Sequence, residues 1–550
     1  MKLSSTKVRF VGFVSAAALI TGVLVSIPVA ANAAPACDGK SPVQSCAGVT
    51  SDGAPYSMMV PANFNGTVAL YSHGYRYNVD IPAGIPIVGG YKITNTPEPV
   101  PGGNMTVAGY LFSQGVAIIG SGFARQGWNL DSALATNVEL IDTFKKQFPT
   151  TKKVVAWGSS LGGAITQALA ETHPELVSAV APMCMADTSV NAELTMAGDF
   201  LWGVKTLFDP TIKGGNYSAG AAGNGEAITD IVKVLTVMGQ LQAGVSSGAW
   251  PTTSSATGKA LAAGGVPSRS ALLLLGLMAG LPTQSAHFDS LSGPAGALKL
   301  TFPLAVSPAL AILENGTNAA ILAILATQDV ELQAGGAIFD NTKTDYSARI
   351  VNEKVIYNAA LSGNTVINAL LGALSAANPG APRAVGNAAA IAKMNALQHN
   401  TGKINVPTIL MVGVADPITP AGASQLVVDK YAEQYAAEKV AAFKAAKVNG
   451  FVPVRNKLLM LWNQTSGKGY TTFDSTTGSP ITSTPAAQGT NHCNFTTSQL
   501  LMVAKTLVSA GQTGELPRGG ALVTAVRKAG SLAIDPLFRA PLLKYYNEQS

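Results

Sequence analysis

The stretch Val154-Val155-Ala156-Trp157-Gly158-Ser159-Ser160-Leu161-Gly162-Gly163 decides the fold of this chain. Its apolar first half is typical of a buried strand, and the small, Ala-rich pattern from Ala164 to about Glu171 predicts a helix. Between them lies Gly158-x-Ser160-x-Gly162. A strand, a sharp turn and a helix are the setting in which this pattern holds a serine in a strained backbone conformation, with small neighbours leaving room for it. We therefore interpret Ser160 as a nucleophile at the end of a sheet.

The alternative is a chance match, because the pattern is short and the chain contains 57 glycines. The strand before it and the helix after it favour the functional interpretation.

Strands and helices alternate along the first third of the chain and again near its end. Such alternation predicts an α/β fold, with a mostly parallel sheet flanked by helices. The predicted strands are Tyr56–Val60, Thr67–Tyr71, Gly115–Gly120, Leu176–Ala181, Val406–Gly413 and Val454–Trp462. The predicted helices are Met105–Ser113, Leu130–Phe148, Ala421–Lys447 and Thr497–Ala510.

Between about Thr188 and Asn400 this alternation stops, and the sequence becomes rich in Ala, Gly and Leu. A segment of about 210 residues is too long for a loop and must carry its own structure. We interpret it as a large, mostly helical cap inserted into the core. The predicted organisation is a signal peptide (1–33), core (34–187), cap (188–400), core (401–516) and a C-terminal tail (517–550) without a recognisable functional motif.

The first 33 residues have the features of a secretory signal. Lys2, Lys7 and Arg9 precede a mostly apolar run over residues 11–30, and Ala31-Asn32-Ala33 is a small-residue cleavage site, so the mature chain is expected to begin at Ala34. A retained membrane anchor is the alternative. The later apolar stretches, such as Ala271–Leu281, are shorter than the roughly 18 to 20 residues that span a bilayer, and we expect no span after signal removal.

The composition also narrows the possible partners. The formal net charge is +6, and removal of the three basic signal residues leaves +3. Charged residues make up 12% of the chain, and the mean hydropathy is +0.27. No dense Lys/Arg run with interleaved aromatic residues occurs, so nucleic acid is not an expected partner.

The four cysteines are expected to form two disulfides, because an exported chain meets an oxidising compartment. Three pairings are formally possible. Cys37 and Cys46 enclose a short loop and are expected to pair, which leaves Cys184 with Cys493. No Cys-x-x-Cys spacing points to a metal site, and we predict neither a metal nor a cofactor.

A nucleophilic serine needs a base, and in this architecture the acid and then the histidine follow the serine in the chain. Of the five histidines, His73 precedes Ser160, and His173 lies at the far end of the next helix. His287 and His399 lie in or beside the cap. His492, in a Gly-rich loop after the last strands, is therefore the predicted base.

The predicted acid is Asp416. It lies just past the carboxyl end of a buried strand, where catalytic groups collect in open α/β sheets. Asp187, just past another strand, is the alternative. Leu161, at the start of the helix, is predicted to donate its amide to an oxyanion. His73-Gly74 ends an early strand, and the amide of Tyr75 is the predicted second donor, with Gly74 as the alternative.

Together these residues resemble the α/β-hydrolase superfamily, and within it the secreted serine esterases and lipases. The resemblance covers roughly 56–187 and 403–511. The large cap and the His492-Cys493 pair are also similar to the tannase and feruloyl esterase family, in which a cysteine beside the serine bonds the cysteine after the histidine. Here Ser159 occupies that position, and Cys184 could replace the missing cysteine and still tether the His492 loop. The cap contains no clear acidic calcium motif.

The predicted function is that of a secreted serine hydrolase that cleaves carboxylic esters, small or polymeric, through Ser160, His492 and Asp416. An apolar cap favours hydrophobic or bulky substrates. The alternatives are a serine peptidase with the same triad, a hydrolase of phenolic esters as in the tannase family, and a binding protein without activity. The sequence leaves the oligomeric state open.

Overall fold

The structure is a computed structural model of the 550-residue chain. It describes residues 34–39, 42–245, 247–288, 306–350, 353, 382–449, 452–465, 470, 472–473, 480–482 and 486–548. The predicted signal peptide (1–33) lies outside the described residues.

A ten-stranded mixed sheet, mostly parallel at its centre, forms the core, in agreement with the predicted fold class. Its order across the sheet is β1-β2-β3-β5-β4-β6-β7-β8-β9-β12. The six strands from β5 to β9 in this order are mutually parallel, whereas the strands at both edges are antiparallel. Their bounds are β1 Ala36–Cys37, β2 Val43–Val49, β3 Pro55–Pro61, β4 Thr67–Ser72, β5 Val116–Ser121, β6 Lys153–Ser159, β7 Ala179–Met183, β8 Thr408–Gly413, β9 Leu458–Asn463 and β12 Leu532–Ala533. Two further strands, β10 Thr472–Phe473 and β11 Pro480–Thr482, form a separate pair.

Helices cover the sheet at the positions predicted from apolar periodicity, with ends that differ by a few residues. They are α1 Met105–Ser113, α2 Leu130–Gln147, α3 Leu161–Thr172, α11 Ala421–Asn449 and α12 Thr497–Thr513. The strand predicted over 176–181 lies three residues later, at β7, because Leu176 still bonds back to the end of α3 through His173. The strand over 55–61 is the third of the sheet rather than the first, since the mixed polar and apolar residues of β2 give a weak strand pattern.

Between β7 and β8 the described part of the chain is helical. These helices, called the cap below, are α4 Val190–Leu207, α5 Gly220–Gly244, α6 Ala256–Ala263, α7 Ser268–Ala279, α8 Val306–Ala334, α9 Tyr346–Arg349 and α10 Ala388–Asn395. The apolar faces of α4, α5, α6, α7 and α8 share one hydrophobic cluster, and α8 also packs against α10. The cap therefore has its own interior, as a segment of this length requires.

Helix α8 corrects one sequence expectation. We predicted no later stretch long enough to cross a membrane, but Pro308–Ala334 is 27 residues long and apolar enough to do so by length and composition. In the sequence, polar residues around Asn315 and Asn318 interrupt the apolar pattern, whereas the structure has one continuous helix, Val306–Ala334. In the most apolar part of this helix, 61% is buried inside the protein.

The C-terminal tail, for which the sequence suggested no function, joins the core and the cap. It contains α13 Gly520–Ala529, β12 and a short 3-10 helix, Lys544–Glu548. Strand β12 pairs with β9 at the edge of the sheet, and the 3-10 helix packs on α4 and α9 of the cap. The tail therefore closes one edge of the sheet and contacts the cap at the same time.

Candidate active site

Ser160 lies in a strained turn between β6 and α3. Its backbone angles are φ 60° and ψ −129°, a conformation that L-residues rarely adopt. The amide of Ser160 donates to the carbonyl of Met183, 3.0 Å away, which holds the turn against β7. A Cβ on Gly158 would come within 2.1 Å of the carbonyl of Gly162, and one on Gly162 within 2.1 Å of that of Ser72. Both glycines of the motif are therefore required by close backbone contacts.

His492 contacts Ser160 directly. Nε2 of His492 lies 2.8 Å from Oγ of Ser160, and Nδ1 lies 3.0 Å from Oδ1 of Asp416. The three side chains come from segments far apart in sequence and meet at the carboxyl ends of the parallel strands. An imidazole between a hydroxyl and a carboxylate can take the hydroxyl proton while the carboxylate holds the ring.

Asp416 is fully buried, and its carboxylate accepts three backbone amides besides the ring of His492. Ile418 and Thr419 donate to Oδ1 at 2.9 and 3.0 Å, and Cys493 donates to Oδ2 at 3.1 Å. These donors satisfy the carboxylate and fix its orientation. Thr419 also has its hydroxyl 3.4 Å from Nδ1 of His492.

The alternative acid, Asp187, lies elsewhere. It is buried, and its Oδ1 accepts the amide of Ser189 at 2.8 Å and the hydroxyl of Tyr546 from the C-terminal tail. Burial raises the pKa of Asp187 to about 6. Its partners are tail and cap residues, and the structure gives it no contact with His492 among the described residues.

A disulfide fastens the loop of His492 to the sheet. Cys184, directly after β7, is bonded to Cys493, with 5.5 Å between their Cα atoms and 309 residues between them in sequence. The hydroxyl of Thr419 donates to the carbonyl of Cys184 at 2.8 Å, which ties the Asp416 turn to the same point. The second disulfide, Cys37–Cys46, joins directly opposed residues of β1 and β2.

Both predicted oxyanion donors lie beside Ser160. Tyr75 and Leu161 line the same cavity as Ser160, and neither backbone amide donates a hydrogen bond to another described residue. Gly74 packs on the turn, since a Cβ there would lie 3.0 Å from Cβ of Ser160 and 3.1 Å from the carbonyl of Ser159. A larger residue would therefore push the strand end away from the serine.

The cavity beside Ser160 is small, about 70 Å³, and its wall is almost wholly apolar. Core residues form its floor, and α4 and α8 of the cap form its roof. The floor includes Tyr75, Trp128, Leu161, Ala186 and Ile418, and the roof includes Leu194, Ala197, Phe200, Ala319, Leu322, Ala323 and Ala326.

Comparisons with known proteins give weak similarities. No protein-family model and no curated protein matches this chain. Among solved structures, feruloyl esterase B from Aspergillus oryzae matches with 14% identity and a TM-score of 0.30, covering 79% of this chain and 77% of that one. LipA, a cell-wall-degrading esterase from Xanthomonas oryzae, matches with 12% identity and a TM-score of 0.28, covering 78% and 83%.

The esterase Pf2001 from Pyrococcus furiosus matches with 14% identity and a TM-score of 0.21, covering 30% of this chain and 58% of that one. The present chain thus spans little more than half of Pf2001. The strand order and the turn at Ser160, rather than these matches, define the architecture. The chain has the α/β-hydrolase fold.

Two other histidines of this α/β-hydrolase fold, His73 and His287, bond groups other than Ser160. His73 points into the core, where its ring packs on Phe123 and Nδ1 lies 2.7 Å from the carbonyl of Gly74. Burial lowers the pKa of His73 to about 3, so its ring is neutral. His287 bonds Glu314 in the cap, and that contact raises the pKa of His287.

Sequence reasoning missed Glu193, Trp128 and Asp329. Glu193 lines the cavity, and its Oε2 accepts the amide of Asp187 at 3.0 Å. Burial raises the pKa of Glu193 well above its usual value. Glu193 and Asp329, the two cap residues, belong to no sequence motif. Only the packing of the cap on the core brings them to the site.

One group of potential metal ligands lies close together among the described residues: Asp416, His492 and Cys493, within 4.8 Å. The sulfur of Cys493 is bonded to Cys184 and is not a free thiolate. The other two side chains already bond each other. This set therefore fits a serine–histidine–aspartate relay better than a metal centre.

Proposed function

We propose that this protein is a secreted serine hydrolase that cleaves carboxylic esters through an acyl-enzyme. The observation that carries the proposal is the 2.8 Å contact between Nε2 of His492 and Oγ of Ser160, with Asp416 bonded to the opposite ring nitrogen. A nucleophile, a base and an orienting acid in hydrogen-bond contact are what acyl transfer requires.

In the first half of the proposed reaction, Oγ of Ser160 attacks the ester carbonyl carbon and its proton passes to Nε2 of His492. The amides of Leu161 and Tyr75 donate to the oxyanion of the tetrahedral intermediate. The carbon–oxygen bond to the alcohol then breaks, and His492 gives its proton to the leaving oxygen.

In the second half, His492 takes a proton from water, whose oxygen attacks the acyl carbon. The bond to Oγ breaks, Ser160 regains its proton from His492, and the carboxylic acid leaves. Throughout, Asp416 holds the proton-bearing Nδ1 of His492 and stabilises the imidazolium. No step in this scheme uses a metal or an organic cofactor.

The apolar cavity supports an ester with an apolar group rather than a peptide. An enzyme that reads a peptide terminus needs a charged anchor, and Glu193 is the acidic residue of the cavity wall. Burial disfavours the charged form of Glu193 and raises its pKa well above the usual value, so this carboxyl is a poor partner for an ammonium group. The two disulfides are compatible with an extracellular location.

The test is a side-by-side assay of p-nitrophenyl esters, a phenolic ester and peptide p-nitroanilides. Ser160→Ala should lower ester kcat/KM by about 10⁴-fold or more, because the nucleophile is lost. Ser159→Ala is the matched control. Ser159 ends the strand directly before Ser160, its side chain makes no hydrogen bond to His492 among the described residues, and the variant should keep close to wild-type activity.

Efficient cleavage of anilides with poor ester turnover would favour the peptidase instead. Preference for the phenolic ester over aliphatic esters would favour the tannase-like alternative. Ester turnover that survives in Ser160→Ala would contradict the proposed nucleophile.

A further inference from the structure

The roof of the cavity is one face of α8. Ala319, Leu322, Ala323 and Ala326 follow one another at helical spacing and line the cavity above Ser160. Three of the four are alanines, so the backbone of α8 lies close to the core. The distance between this helix and Ser160 therefore determines the cavity volume that is open to a substrate group.

One turn further along, Asp329 joins α8 to the core. Oδ2 accepts the amide of Trp128 at 2.6 Å, and Oδ1 accepts the side-chain amide of Asn78 at 2.8 Å. Both donors belong to core loops that follow strands β4 and β5. Gln333, one turn later on α8, donates to Oδ2 at 3.0 Å and to the carbonyl of Trp128 at 3.2 Å.

The core loop is shaped to receive this carboxylate. Gly127 has φ +83°, and a Cβ there would lie 2.3 Å from Oδ2 of Asp329. Asp329 is 3% exposed. Nearby, the hydroxyl of Tyr75, a cavity residue, lies 3.4 Å from the carbonyl of Leu325. The contacts thus join the roof helix to the two core segments that form the cavity floor.

We propose that Asp329 is a positioning residue that holds the alanine face of α8 over Ser160 and so restricts the substrate to esters whose buried group is compact and apolar. The inference rests on the proposed function. It narrows the substrate class, because a cavity of about 70 Å³ is far smaller than pockets that enclose drug-sized ligands, roughly 300 Å³ or more. From the sequence we expected hydrophobic or bulky substrates; the inference keeps the hydrophobic group and replaces the bulky one by a compact one.

The experiment measures kcat/KM over two ester series, one with a constant p-nitrophenyl group and acyl groups from acetyl to dodecanoyl, the other acetates of graded alcohols. The wild-type enzyme should show a sharp size limit in one series. Asp329→Ala leaves the Trp128 amide without its acceptor and frees α8, so the ratio of long-chain to short-chain kcat/KM should rise about tenfold or more.

Asp329→Asn is the conservative rescue variant. Its remaining oxygen can accept from Trp128, and Asn78 can turn its own amide to accept the new NH₂ group, so the ratio should return towards wild type. Asp230→Ala is the matched control. Asp230 is also a buried cap carboxylate bonded to backbone amides, those of Lys213 and Gly214, but among the described residues it makes no hydrogen bond to the core loops. Its ratio should remain at the wild-type value.

Amide hydrogen exchange over residues 319–326 provides a readout that does not depend on catalysis, and it should be faster in Asp329→Ala than in Asp329→Asn or Asp230→Ala. If Asp329→Ala does not fold, Asn78→Ala removes one core donor and should shift both readouts in the same direction. An unchanged ratio and unchanged exchange, or an equal shift in Asp230→Ala, would overturn the inference while the ester activity stood. Absence of any ester turnover by the wild-type protein would instead overturn the proposed function, and the substrate limit with it.

Discussion

Asp416 binds both the ring of His492 and the backbone that follows it. Oδ1 lies 3.0 Å from Nδ1 of His492, and Oδ2 accepts the amide of Cys493 at 3.1 Å. A single carboxylate therefore sets the orientation of the imidazole and the course of its loop. This double contact separates Asp416 from the other buried acid near the site, Asp187.

Replacement of Asp416 and of Asp187 should lower ester kcat to different extents. Asp416→Asn should lower ester kcat by about 10⁴-fold, because an amide NH₂ facing Nδ1 favours the wrong tautomer of His492. Asp187→Asn should change kcat by less than about tenfold, since Asp187 bonds Ser189 and Tyr546. Steady-state kinetics on one short ester compare the two. A larger loss in Asp187→Asn would reassign the acid.

Gly74 should be required for oxyanion stabilisation. Gly74→Ala places a Cβ 3.0 Å from Cβ of Ser160, so the strand end and the Tyr75 amide must move. We expect kcat to fall about 10²-fold with a smaller change in KM, as for loss of an oxyanion donor. Gly84→Ala is the control, because nothing lies within 4 Å of the added atom. Equal kinetics for the two variants would contradict this role.

The Cys184–Cys493 disulfide should matter for both stability and activity. It closes a far longer loop than Cys37–Cys46, with 309 against 9 residues of separation. In the chain-entropy view, Cys184→Ala/Cys493→Ala should lower the free energy of unfolding by up to about 5 kcal/mol, and Cys37→Ala/Cys46→Ala by about 2 to 3 kcal/mol. Urea unfolding of both double variants provides the comparison.

Activity should separate the two disulfides further. Loss of Cys184–Cys493 frees the loop that carries His492, so ester kcat should fall about tenfold or more under conditions where the protein is still folded. The variant without Cys37–Cys46 should keep its kcat. Equal activities in the two double variants would show that the His492 loop does not depend on its disulfide.

His73 should make the protein sensitive to acid. Burial lowers its pKa from 6.5 to about 3 in the folded state, so below pH 6.5 the unfolded chain binds a proton that the folded chain does not. Its contribution to the free energy of unfolding is complete above pH 6.5 and declines as the pH falls towards 3. At pH 4.5 the loss from this one group is about 3 kcal/mol.

Comparison of wild type with His73→Asn isolates this contribution. Asp187, whose pKa is raised to about 6, acts in the opposite direction below that pH, and its effect is common to both proteins. Chemical unfolding at pH 7 and pH 4.5 should therefore show a smaller acid-induced loss in His73→Asn. The same loss in both proteins would mean that His73 is not the responsible group.

The sequence by itself determined the sheet core and predicted the three residues of the proposed triad. The apolar run before Gly158-x-Ser160-x-Gly162 identified the turn, because strand, turn and helix signals are local. The order of the acid and the histidine after Ser160 then selected Asp416 and His492, which the structure brings into contact. Of the four cysteines, Cys37 and Cys46 were paired first because they enclose a short loop. Cys184 and Cys493 then remained as the second pair.

Only the tertiary structure decided the shape of the cavity and the contacts that fix α8 above it. Asp329 lies 201 residues from Trp128 in sequence, and neither Asp329 nor the Gly127-Trp128 pair belongs to a motif. The edge strands β1, β2 and β12 were likewise not predicted, because short or mixed polar patterns give no periodic signal and pairing with neighbours defines them. Local patterns specify elements and chain order, whereas contacts between distant segments depend on how the folded layers pack.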